Sequence, residues 1–162
     1  MTSLTATEVL RWNDTNTAQW RKLFEGHPEA LALPCDIRGS STVADLLQHI
    51  VAVELRYAER LGDEIVTEYD AVSKESLIKI FAVHDRAIAK INILLADATY
   101  DWQLEIDMET RQGRLIATRN AVLFHSLLHS MRHYAQLATL LRHSGITATW
   151  PMDYLMVSAR RA

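Results

Sequence analysis

One cysteine, three prolines and five glycines are all that the 162 residues contain, and each scarcity excludes something. A lone thiol, Cys35, closes no intrachain disulfide and builds no Cys-Cys zinc site, which fits a reducing, cytoplasmic setting. So few turn residues cannot punctuate the many short strands of a β-sandwich or barrel, so helices are expected. Positive charge is not in excess either. With 17 basic against 20 acidic residues the formal net charge is -3, which offers no complementary field to a nucleic-acid backbone or an anionic membrane. The first 13 residues have no basic start followed by an apolar run, so no secretory signal is expected. The longest charge-free stretch, residues 120–131, falls well short of the roughly 20 apolar residues that span a bilayer. A soluble protein follows. The 49% hydrophobic fraction is ample for a core, and no repeat, linker or low-complexity run divides residues 1–162, so a single domain is expected.

Periodicity supplies the elements. Residues 5–25 carry Val9, Trp12, Thr15, Ala18 or Gln19, and Leu23 at helical spacing, and Gly26, His27 and Pro28 end the run. Residues 29–41 have no sustained period and read as a connection that travels some distance. Ser41 or Thr42 caps a second helix with Asp45 in its first turn, an apolar stripe of Leu46, Ile50, Val53, Tyr57 and Leu61, and Gly62 at its end. Ser73 and Ser76 precede a third helix whose seam is Leu77, Phe81, Ile88, Ile91 and Leu95, running to about Ala96. Between 100 and 118 the period changes: Trp102, Leu104 and Ile106 alternate with polar residues, then come Arg111-Gln112-Gly113 and Leu115-Ile116-Ala117. That reads as a short β-hairpin or extended crossover. A fourth helix spans 119–143, with Gly145 suited to a left-handed cap. Residues 146–162 carry Trp150-Pro151 and Tyr154-Leu155-Met156-Val157, too apolar for a free tail. The expected fold is all-α, a four-helix bundle with an extended crossover before its last long helix.

What the chain has in quantity is histidine, seven in all. His125, His129 and His133 succeed one another at intervals of four, and each step rotates only about 40 degrees around a helix. Any adjacent pair can share a cation. All three cannot, because His125 and His133 are about 12 Å apart along the axis, so a further ligand has to come from another helix. His49 and His84 both lie on apolar seams, and periodicity does not choose between them. His27 and His143 stand at helix ends, where an imidazole needs no further role. No Glu stands three residues before any histidine, which removes the di-iron carboxylate pattern. No His-Glu-x-x-His exists, which removes the zincin pattern. Cys35 sits in a Pro-flanked connection with nothing to lower its pKa, so it reads as a structural thiol.

His49 with Glu54 and Tyr57, then LFHSLLHSMRHYAQLATLLRHSG over residues 123–145 and Trp-Pro-x-Asp-Tyr from Trp150, resemble the DinB-like (DinB/YfiT) superfamily of metal-binding four-helix bundles. The likeness covers essentially the whole chain. It departs after the last histidine, where relatives often read His-Arg-Gly-Gln and this chain reads His133-Tyr134-Ala135-Gln136. The resemblance implies one divalent metal ion, zinc or nickel, held by His49, His129 and His133, with His125 beside the site and His84 outside the ligand set. It also implies a homodimer and a small-molecule substrate, in some relatives together with a low-molecular-weight thiol.

Three imidazoles leave a coordination position for water or substrate, as in catalytic rather than closed sites. The resemblance thus points to a thiol-dependent S-transferase or isomerase, or to a hydrolase. The reading of another class is a non-catalytic, stress-associated metal-binding dimer. Glu54 is the nearest carboxylate for proton-transfer work, but five residues after His49 it points about 140 degrees away. A solvated or interhelical salt-bridge role is its other reading.

Overall fold

The computed structural model describes residues 4–110 and 113–159. Four long helices carry it: α1 (Ala6–Gly26), α2 (Val43–Leu61), α3 (Leu77–Ala96) and α4 (Arg119–His143). A hairpin of β1 (Glu105–Thr110) and β2 (Gly113–Thr118) precedes α4, and a short α5 (Tyr154–Ser158) follows it. Each long helix starts on a hydroxyl cap that satisfies a backbone N–H of the first turn. Thr5 with Glu8 and Thr42 with Asp45 form reciprocal capping boxes, while Ser76 and Thr118 accept from the backbone of Lys79 and Ala121. Of the serine and threonine candidates, Thr42 and Ser76 are therefore the caps.

Contacts among the helices explain the long connections. The helix α2 packs against α3 and α4, and α1 packs against the same two, so α1 and α2 stand diagonally opposed. The connection from α1 to α2 consequently crosses an end of the bundle, through 3-10 turns at Pro28–Ala32 and Ile37–Gly39 and a bridge between Pro34 and Thr42. From α3 to α4 the chain also crosses a diagonal, and the hairpin fills that path. Its six residue pairs run from Glu105 with Thr118 to Thr110 with Gly113. Of the expected turn, Arg111 and Gln112 lie outside the described residues, and Gly113 has φ +102°, a value that suits glycine. The amides of Arg119 and Asn120 donate to Leu104 and Trp102 carbonyls, both at 2.9 Å, so α4 begins where the hairpin closes.

Two expectations about faces are corrected. In α1 the buried side is Val9, Leu10, Asn13, Asn16, Thr17, Trp20 and Phe24, whereas Thr15, Ala18 and Gln19 are exposed. The apolar pattern misses it because three of those positions are polar and buried with partners. Thr17 Oγ1 donates to the Asn13 carbonyl, Asn16 Nδ2 donates to the Trp12 carbonyl, and Asn13 Nδ2 reaches the Leu127 carbonyl. In α2 there is no single stripe: Leu46, Leu47, Ile50, Val51, Ala52, Leu55 and Ala58 are all fully buried. Beyond α3 and α4, the chain on either side covers this helix. The turn at Pro28–Ala32 packs on it, Gln48 Nε2 donates to the Val72 carbonyl at 2.5 Å, and Glu59 accepts from the amide and hydroxyl of Thr67.

The end of α4 and the tail behave as the sequence suggests. Ile146 N donates to Leu141 O and Gly145 N to Arg142 O, with Gly145 at φ +82°, the paired bonds of a Schellman cap. The tail then docks on α1. Trp12 Nε1 donates to the Met152 carbonyl at 2.7 Å, and Trp150 packs edge-on against Trp20 with ring centroids 5.0 Å apart.

Candidate metal centre

The packing of α2 on α4 brings His49 to the ridge that carries His129 and His133. His129 Nε2 lies 3.2 Å from His49 Nε2 and 3.2 Å from His133 Nε2, and all three residues are buried. Among the described residues they are the group of histidine, cysteine and acidic side chains able to hold a metal ion, with ligand atoms within 4.8 Å of one another. His84, the alternative on periodicity, is elsewhere in the core. His125 is exposed, its ring 5.7 Å from His129 and edge-on to Tyr57 at 5.4 Å. His27 pairs with Glu29 at 3.1 Å on the surface, and His143 ends α4 exposed.

The outer ring nitrogens show which atoms face inward. The Oε1 of Gln136 accepts from His133 Nδ1 at 2.8 Å, which places the proton on Nδ1 and a lone pair on Nε2. Arg132, which can only donate, reaches that Nε2 at 3.1 Å. The Tyr69 hydroxyl lies 3.3 Å from His49 Nδ1. The Nδ1 of His129 is buried and has no hydrogen-bond partner among the described residues. A cation facing all three Nε2 atoms satisfies the inward lone pairs together and leaves Nδ1 protonated. Two nitrogens bound tetrahedrally at 2.0 to 2.1 Å stand about 3.3 to 3.4 Å apart, close to the separations found. Burial, together with His133 and His49, pushes His129 down to about 2. Burial and Arg132 lower His133 as well. Both rings are therefore neutral near pH 7, the form that ligates.

Two of the three histidines, His49 and His129, border a cleft of about 410 Å³, a size suited to a small molecule. His49 and His129 line it from below, Tyr57 and His125 flank it, and Glu109, Thr110 and Leu115 of the hairpin make one wall. Four arginines, Arg38, Arg56, Arg60 and Arg132, line it as well, with Val53 and Tyr69.

Glu54 does not reach this cleft. It is fully buried, and it accepts from Ser130 Oγ at 2.6 Å, His84 Nδ1 at 2.7 Å and Asn13 Nδ2 at 3.4 Å. One side chain from each long helix thus meets at this node. Of the two readings of Glu54, the interhelical ion pair is the one observed. Burial alone would lower His84, but the carboxylates of Glu54 and Asp14 overcome it and raise the imidazole to about 9. Tyr134, which follows His133, turns into the core, stacked on Trp20 at 5.5 Å with its hydroxyl 3.2 Å from Thr17. Cys35 is buried and burial raises its pKa, so it is no activated nucleophile.

Sequence reasoning missed the arginines, Tyr69 and Gln136. Arg56 and Arg60 follow His49 by seven and eleven residues, and so continue its helical face through Val53. That signal was present, but a whole-chain charge balance conceals it. Arg38 lies in an aperiodic connection and gave none.

A four-helix bundle whose second and fourth helices carry three convergent histidines beneath an open cleft defines the class of protein. The chain belongs to the DinB family, whose family model matches residues 1–160. Comparison with curated proteins gives no match.

Proposed function

We propose that the protein is a metal-dependent enzyme acting on a small molecule, with His49, His129 and His133 holding one divalent ion, zinc or nickel. The observation that supports this most is the convergence of three buried histidines, two of which line an open cleft. When bound, such an ion supplies a Lewis acid that can activate water for hydrolysis or a thiolate for transfer. Gln136 fixes the His133 ring and Tyr69 abuts the His49 ring, so the inward nitrogens are oriented before any ligand arrives. Thiol-dependent S-transfer or isomerisation and hydrolysis both suit the site. Hydrolysis gains from a general base: Glu54 is engaged with His84, Ser130 and Asn13, and Glu109 is the carboxylate that lines the cleft.

The same engagement of Glu54 favours the second reading, a non-catalytic metal-binding bundle that forms a homodimer. Exposed Ile78 and Ile93 on the outer face of α3 offer apolar surface for self-association. Metal-loaded protein assayed against electrophiles with low-molecular-weight thiols, and against ester and amide substrates, separates the two. Turnover that is lost in His129→Ala supports the enzyme. No turnover in either panel, with light scattering at twice the chain mass, supports the binding protein.

A further inference from the structure

We infer that the cleft above the triad takes an organic anion, a small molecule with a carboxylate or phosphate group gripped by Arg38, Arg56, Arg60 and Arg132. Four guanidinium groups line this one cleft against a single carboxylate, Glu109, in a chain whose formal net charge is -3. Positive charge is therefore concentrated here, not a property of the whole surface.

Elsewhere among the described residues most basic side chains are in ion pairs, Arg11, Lys22 and Arg142 excepted. Arg119 pairs with Asp63, Arg21 with Asp85 and Lys90 with Glu64. Among the described residues none of the four cleft arginines is in an ion pair. Arg56 donates to the Thr67 carbonyl, and Arg60 lies over the Tyr57 ring at 5.4 Å, contacts that position a guanidinium without cancelling its charge. Arg56 and Arg60 stand four residues apart on one face of α2, where like charges repel. Burial and this neighbour lower the pKa of Arg60. Arg38 enters from a turn in which it holds φ +61°, a left-handed conformation unfavourable for a side chain of its kind. Repulsion retained at a concave surface is relieved by an anion, and the planar fork of arginine matches carboxylate or phosphate oxygens in pairs. A concave volume of about 410 Å³ admits a small molecule and not a nucleic-acid duplex.

The triad adds a coupling. Arg132 Nη2 donates to His133 Nε2 at 3.1 Å, and that lone pair cannot serve a guanidinium and a cation together. Occupation of the triad releases Arg132 for the anion, and the anion in turn offsets the repulsion between the arginines and the cation. Coupling of this kind is reciprocal. The inference names the substrate class of the proposed enzyme, and so it rests on that reading of the site.

The test is calorimetric titration of the 162-residue chain, zinc-loaded and metal-free, with phenyl phosphate, with benzoate and with benzyl alcohol as the uncharged control. Zinc content is measured on every sample. The expected result is saturable binding of at least one anion and none of the alcohol, weaker at high salt and tighter with zinc present. Arg56→Gln and Arg60→Gln each lower the affinity about tenfold, whereas Arg60→Lys, which keeps the charge without the paired donors, falls between wild type and Arg60→Gln, which separates lost charge from lost fold. The two anion arms identify the preferred group. Absence of binding by both anions, or binding unchanged in both glutamine variants, overturns the inference even if zinc is held stoichiometrically. Anion binding to the arginines in a protein that holds no zinc supports the anion site and overturns the metal reading instead.

Discussion

At the residue scale, the molecule separates two kinds of buried histidine that look alike in sequence. His49 and His84 both occupy apolar seams, yet α2 turns one toward α4 and its partner imidazoles, while α3 presents the other to a carboxylate. What distinguishes them is the partner across the core, and no single-helix period carries that information. The Glu54–His84 pair has a consequence for pH. The imidazole rises from 6.5 to about 9 on folding, so the stabilisation is fully present below the unfolded value and is lost as pH climbs through the folded one. Its size is up to about 3 kcal/mol. Denaturant melts at about pH 6 and about pH 9.5 should show wild type losing more stability than His84→Gln, the two converging at the alkaline end. A constant gap across that range would contradict the assignment. Breaking the pair from the other side, with Glu54→Ala, should cost about 2 to 4 kcal/mol, because His84, Ser130 and Asn13 lose a shared buried partner and only Asp14, at 3.4 Å, still faces the imidazole.

At the element scale, caps and breaks were the most legible features. The hydroxyl caps, the hairpin and both ends of α4 follow from local backbone chemistry, which a short window of sequence contains. Faces were harder. The inward side of α1 includes Asn13, Asn16 and Thr17, whose partners lie on the helix itself and on α2 and α4, so an apolar count selects the wrong register. Encirclement of α2 by its own flanking connections was equally invisible from its period. The end of α4 provides a clean energetic test, since a Cβ on Gly145 would meet nothing within 4 Å and only the backbone at φ +82° opposes it. Gly145→Ala should therefore destabilise by about 1 to 2 kcal/mol. At Gly26 a Cβ also meets open space, without positive φ, and Gly26→Ala should be neutral or slightly stabilising. Equal effects in chemical denaturation would remove the left-handed cap from the account.

At the scale of the whole molecule, diagonal placement of α1 and α2 makes the site. It sets α2 beside α4, so His49 comes from one helix and His129 and His133 from its neighbour, and it sends the hairpin across the bundle to form a wall of the cleft. The histidine triad was legible through the resemblance of its spacing to a family. The cleft was not, because it is assembled from five segments of chain, and a net charge near zero hides a local excess of arginine. The central claim is that these three histidines, and not His84 or His125, hold a divalent metal ion. Diffraction from zinc-loaded crystals on both sides of the metal absorption edge tests it most directly. The account predicts one anomalous peak bonded to the Nε2 atoms of His49, His129 and His133, with a remaining position open to the cleft. No peak at the triad, or a peak at His84 and Glu54 instead, would contradict it.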